Sequence, residues 1–119
     1  MEGVWEKARE LGRLLGQSDE YKALQRAKDR ISNEREMVTH LNRLGELEVD
    51  IARSLQRGEE PPQATADEYE ALFGAVQARA EYQALVAAQA NFDKVLGRAN
   101  EEISKGMTTA TQSRIILPS

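Results

Sequence analysis

EYQALVAAQANFDKVLGRANEEI, positions 81 to 103, is the most regular stretch of the chain. Tyr82, Leu85, Gln89, Phe92, Leu96, Ala99 and Ile103 recur at alternating spacings of three and four. That is the heptad seam by which one helix lies along another, and the period-two alternation of a half-buried strand does not produce it. Gln89 is the one polar member. It either fixes the register of the seam at some cost in stability or sits at the edge of a wider core stripe. Gly106 is placed to end this helix, giving a span of 80–105. A flexible tail of residues 107–119 would follow. The tail closes on Ile115, Ile116 and Leu117, an apolar triplet able to clip onto a core or a partner.

The same period continues upstream. Val4, Ala8, Leu11 and Leu15 form a stripe that Gly16 would close with a left-handed residue. Ser18 then reads as an N-cap, with Asp19 and Glu20 in the first turn where acids favour the helix dipole. A second helix of about 19–31 carries Tyr21, Leu24, Ala27 and Ile31 on one face. Asn33 with Glu36 resembles a capping box that opens a third helix over 34–57, about 36 Å long at ~1.5 Å per residue. Met37, Leu41, Leu44, Ile51 and Leu55 mark its stripe, and Gly58 is its stop. Two prolines, Pro61 and Pro62, force a loop. Thr65 with Glu68 resembles a second capping box, opening a helix of 66 to about 78 with Tyr69, Leu72, Phe73 and Val76 on one face.

These elements predict an all-α fold. The expected architecture is an elongated antiparallel bundle of about five helices, in which the 34–57 and 80–105 helices form a spine. The 119 residues suit a single helical domain, placed at 1–106. Aromatic residues are only 5% of the chain, so the core falls to Leu, Ala, Val and Ile. Long seams on narrow helices leave apolar surface that so short a chain struggles to cover, which predicts a homodimer or a higher homo-oligomer.

Charge and composition exclude several kinds of function. The net charge is −4 and the basic residues are scattered among acids, which argues against direct nucleic-acid binding. The absence of cysteine removes disulfides, thiolate metal sites and thiol nucleophiles. No apolar run approaches the ~20 residues of a membrane span, and the N-terminus carries no apolar signal region, so a cytoplasmic protein is expected. His40 is the one histidine. It lies one helical turn from Glu36, a spacing that suits an ion pair. A di-iron bundle demands two Glu-x-x-His motifs and two further acids, so a metal-carboxylate enzyme built on Glu36 and His40 is the weakest alternative. The paired acids Glu46 and Glu48, Glu59 and Glu60, and Glu101 and Glu102 sit in polar stretches, whereas a general acid requires burial. Neither a catalytic residue, nor a metal site, nor a cofactor is expected.

SDEYKALQRAKDRI, positions 18 to 31, resembles the S-D-E-Y-x-x-L opening found in the YlbF/YmcA family of small bacterial proteins, with Ser18, Asp19, Glu20, Tyr21 and Leu24 carrying the match. LNRLGELEVDIARSLQRGEE, positions 41 to 60, is similar to the end of that family's long central helix, Gly58 included. The alternation of the last helix also fits, so the resemblance covers about 4 to 105. It implies an all-helical, cytoplasmic oligomer without enzymatic activity. It further implies a regulatory adaptor in competence, sporulation or biofilm control, with other small helical regulators or a ribonuclease as partners. Iron–sulfur clusters linked to some members need cysteines and do not transfer to this chain. A structural coiled-coil or chaperone-like oligomerisation module is the alternative. The residues expected at partner or oligomer contacts are Trp5, Tyr21, Gln89, Phe92, Ile115, Ile116 and Leu117.

Overall fold

The computed structural model describes the backbone of residues 1–116 and the side chains of residues 1–112. Five helices follow one another: α1 (Glu2–Gly16), α2 (Asp19–Ser32), α3 (Arg35–Gln56), α4 (Gln63–Gln77) and α5 (Ala80–Ile116). No strand occurs among the described residues. The chain is all-α, and its two longest helices are the two that the heptad spacing predicts.

Each break between helices has a local cause. The Ser18 hydroxyl accepts the Tyr21 N–H at 3.1 Å and donates to the Leu15 carbonyl at 2.6 Å, so one side chain closes α1 and opens α2. Gly58 takes φ +71°, and the Glu59 N–H reaches back to the Ser54 carbonyl at 2.9 Å while the Gly58 N–H reaches Leu55 at 3.0 Å. This pair of bonds is the Schellman closure, which needs a left-handed residue and therefore favours glycine. Pro61 and Pro62 then hold the chain out of helix until Gln63.

Four local expectations are corrected. Gly16 is the last residue of α1 and has no positive φ, because the Ser18 bonds already close the helix. Glu34, not Asn33, is the N-cap of α3, and its side chain makes no cap bond. Pro62 is the N-cap of α4, so Thr65 lies inside the first turn and cannot act as a cap. Pro62 suits the start because its fixed φ, here −54°, costs nothing there. Gly106 does not end α5, which runs on to Ile116. A glycine in a helix interior costs only about 1 kcal/mol, and the turns that follow continue the ladder, with Thr109 and Thr111 donating their hydroxyls to carbonyls four residues back.

By proximity the chain forms two compact units. One is Gln25–Ala87; the other joins Met1–Leu24 to the part of α5 that begins at Ala88. In the Gln25–Ala87 unit α3 and α4 form an antiparallel hairpin. Its ion pairs run in opposite directions: Glu34 with Arg79, then Arg43 with Glu68. The core there is Ile31, Met37, Leu44 and Val76, with Leu41, Tyr69, Leu72, Phe73, Tyr82 and Leu85 packed around it. Leu47 is buried on the same face of α3. In the other unit the Tyr21 and Phe92 rings meet edge to face at 5.1 Å, beside buried Leu24 and Ala88.

The seam of α5 differs from the expected one at alternate positions. Buried or half-buried seam residues are Tyr82, Leu85, Ala88, Phe92, Val95 and Ala99, whereas Gln89, Leu96 and Ile103 are exposed. Both seams have spacings of three and four and share Tyr82, Leu85, Phe92 and Ala99. Turning the helix slightly substitutes the methyl of Ala88 for the amide of Gln89, which then stays in water instead of being desolvated.

Candidate protein-interaction surface

Ion pairs tie down the Gln25–Ala87 unit. Arg43 clamps both carboxylate oxygens of Glu68, at 2.7 and 2.8 Å, and reaches Glu46 at 3.0 Å. The hydrogen bond from Arg43 holds the Glu68 carboxyl below its ordinary pKa, and the same bond raises the guanidinium. Arg79 sits at the turn into α5 and touches Glu34 at 2.8 Å, Glu81 at 3.0 Å and Glu36 at 3.6 Å, which joins the α2–α3 turn to the α4–α5 turn. Its pKa rises, first through the hydrogen bond to Glu81. Partial burial, then the charge of Glu48, pushes the Tyr69 hydroxyl up. These groups partner one another.

The residues weighed for chemistry are not assembled into a site. Glu36 reaches Arg79, so the expected Glu36–His40 pair competes with a stronger cation. Among the described residues no three of His, Asp and Glu converge as metal ligands. A polar crevice of about 270 Å³ at the foot of the α3–α4 hairpin is lined by Asp50, Arg53, Ser54, Arg57, Pro62 and Thr65. Its charges are of both signs, and Arg57 already pairs with Glu59.

The unit that contains α1 is different. α1 is strongly amphipathic, yet none of its residues is fully buried; Leu11 and Leu15 are half-buried and the rest of its apolar face is exposed. Val4 and Trp5 are each about half exposed, and so is Ile103 on α5. Gly3, Val4, Lys7, Ala8, Leu11 and Ile103 line an open, almost wholly apolar groove of about 420 Å³. The stripe of α5 continues beyond it through Met107, which is 61% exposed. Folded chains rarely leave several large apolar residues uncovered on one amphipathic helix unless something binds there.

The expected contact residues divide. Trp5 is open on α1. Tyr21 and Phe92 face each other inside their unit, and Phe92 is buried. Gln89 is exposed, and its amide donates to Asp93 one turn on. The side chains of Ile115 and Ile116, and all of Leu117, lie outside the described residues. Val4, Ala8, Leu11 and Ile103 read as core positions in the sequence. The period that marks them as one face is right, but periodicity does not say whether the chain itself supplies the cover. Gly45 and Gly97 adjoin stripe residues, yet a Cβ on either would meet nothing within 4 Å, so neither serves a close helix approach within the chain.

Comparison with protein families matches residues 4–108 to the family described as control of competence regulator ComK, YlbF/YmcA. Comparison with curated proteins gives no match.

Proposed function

The chain belongs to the YlbF/YmcA family, and from that premise we propose that it is a non-enzymatic regulatory adaptor, a cytoplasmic homo-oligomer that acts by binding other proteins. The observation that carries this reading is the uncovered apolar face of α1 and α5. An adaptor needs a stable fold and a surface that is incomplete alone. The Gln25–Ala87 unit supplies the first through its core and ion pairs, and the α1 unit supplies the second. The family description places its members in the control of a competence regulator, and the partners proposed here are related small helical regulators or a ribonuclease. No helix among the described residues is long and apolar enough to cross a membrane.

The test is affinity capture from the native cytoplasm with the wild-type chain and with Leu11→Asp, both checked for helicity. Near-stoichiometric recovery of a ribonuclease or of related helical proteins by the wild type, lost in the variant, is the expected result. Recovery of the chain alone would remove the adaptor reading. It would favour a self-contained oligomerisation module, a reading supported by the 37-residue length of α5, which far exceeds what α1 can accompany.

A further inference from the structure

We propose that the polar crevice at the foot of the α3–α4 hairpin binds a singly protonated phosphate group. Arg53, Arg57, the Ser54 and Thr65 hydroxyls and the N-terminus of α4 hold its oxygens, and Asp50 accepts its proton. This goes beyond the adaptor reading and stands without it. Asp50, Arg53, Ser54 and Arg57 fall at i, i+3, i+4 and i+7 on α3 and make one stripe, while Pro62 and Thr65 at the start of α4 form the other wall. Ser54 is the observation that points to a ligand. It is the one buried polar residue among the described residues, 5% exposed. The heptad stripe of α3 calls for Leu55, yet that leucine is 63% exposed and Ser54 takes the inward place. Ser18, Ser32, Thr109 and Thr111 each donate to a carbonyl three or four residues back. The Ser54 hydroxyl makes no such bond, nor any other among the described residues. No sealed side-chain polar atom there lacks a partner. The Ser54 oxygen is therefore not sealed, and the crevice is the space that Ser54 lines. A buried hydroxyl without a partner costs stability, whereas one that meets a ligand does not.

The groups around that hydroxyl are mostly donors. The ladder of α4 begins with the Ala66 N–H on the Pro62 carbonyl at 3.1 Å, which leaves the N–H groups of Gln63, Ala64 and Thr65 without a helical acceptor. Pro62 brings no side-chain cap, and the first turn holds no acid. Asp67 takes the Gln63 side-chain amide at 2.8 Å instead. A helix end in that condition favours an anion. Arg53 lines the crevice and makes no ion pair among the described residues. Arg57 pairs with Glu59 at 3.6 Å, between side chains 61% and 64% exposed, a bond weak enough to be exchanged for a better acceptor. Two guanidiniums against one carboxylate leave the lining net positive, in a chain whose net charge is −4. Asp50 decides which anion fits. A carboxylate repels an oxyanion without a proton, such as sulfate. Singly protonated phosphate carries an O–H that donates to the carboxylate while its other oxygens accept from the arginines, hydroxyls and helix N–H groups. Such a group is either inorganic phosphate or the end of a phosphate monoester, and a crevice of about 270 Å³ admits both.

Calorimetric titration of the full chain with sodium phosphate and with sodium sulfate, at fixed pH and ionic strength, tests the site. Phosphate is expected to bind saturably and sulfate about tenfold more weakly or worse, as a like-charge contact warrants. Arg53→Gln is expected to raise the phosphate dissociation constant by about tenfold or more, the effect of a charge-assisted hydrogen bond. Ser54→Ala is expected to raise it about threefold to tenfold, the effect of a neutral one. Asp50→Asn is expected to bring sulfate level with phosphate. Arg98→Gln, on α5, is expected to bind phosphate as the wild type does. Without phosphate, Ser54→Ala is expected to melt no lower than the wild type, because it removes an unpartnered hydroxyl. A lower melting temperature would mean that the hydroxyl serves the fold, and would overturn its assignment to a ligand. No saturable binding by about 10 mM phosphate would overturn the proposal. So would binding that neither Arg53→Gln nor Ser54→Ala weakens, which places the anion elsewhere. Sulfate as tight as phosphate in the wild type would overturn the role of Asp50. Glucose 6-phosphate, titrated in the same way, separates the two sources: tighter binding than phosphate supports a monoester, and weaker binding supports the inorganic ion.

Discussion

Met37, Leu47 and Val76 lose essentially all contact with solvent in the α3–α4 hairpin, and at that scale stability is decided by volume. Leu47→Ala is expected to lower unfolding free energy by about 2–5 kcal/mol in chemical denaturation, the range for a buried leucine. Leu55→Ala, on the same helix but 63% exposed, is expected to stay within about 0.5 kcal/mol of wild type. Charge behaves differently. Arg43 depresses the folded-state pKa of Glu68, so the native state binds this proton less readily than the unfolded state does. Glu68 therefore contributes stability above its ordinary value, about 4.3, and that contribution is lost as pH falls through the lower folded-state value. The gap in melting temperature between wild type and Glu68→Gln should be small and level from neutral pH to mildly acidic pH, then close toward pH 3. A gap that stays constant down to that pH would mean the carboxylate adds nothing. Both partners are exposed, which keeps the effect small.

Helix ends carry the argument at the scale of the element. Ser18 and Thr65 look alike in the sequence, each a hydroxyl residue standing before acids, but only Ser18 accepts a first-turn N–H. Ser18→Ala is expected to cost about 1 kcal/mol, the typical value of an N-cap, and Thr65→Ala close to nothing. Equal costs in thermal or chemical unfolding would contradict the placement of one inside and the other before its helix. α5 shows why element ends resist reading. A glycine at position 106 reads as a stop, but a stop requires that leaving the helix be worth more than staying in it. Here the next turns continue the helix at modest cost.

The two compact units differ as whole bodies. Gln25–Ala87 holds most of the buried residues, whereas α1 has none and residues 101–112 of α5 are all exposed. Amide exchange should follow burial. Amides of α1 and of α5 beyond Asn100 are expected to exchange well before those flanking Met37, Leu44 and Val76. Protection as strong in α1 as in α3 would mean that α1 does not stay open in solution.

Helical class, the number of helices, the loop at Pro61–Pro62 and the left-handed stop at Gly58 were all legible in the residues, because period and turn chemistry act over a few neighbours. The family was legible too, in the SDEYKAL stretch that begins at Ser18. The choice between near-equivalent local solutions was not. Whether Gln89 or Ala88 faces inward, and whether Pro62 or Thr65 opens α4, depends on which packing leaves fewer polar groups dry. Least legible was the candidate surface. Val4, Ala8 and Leu11 carry the same signature as Met37, Leu41 and Leu44, since an amphipathic stripe records that a face needs cover. Only the tertiary structure decided that α4 covers the one and that the groove along the other stays open.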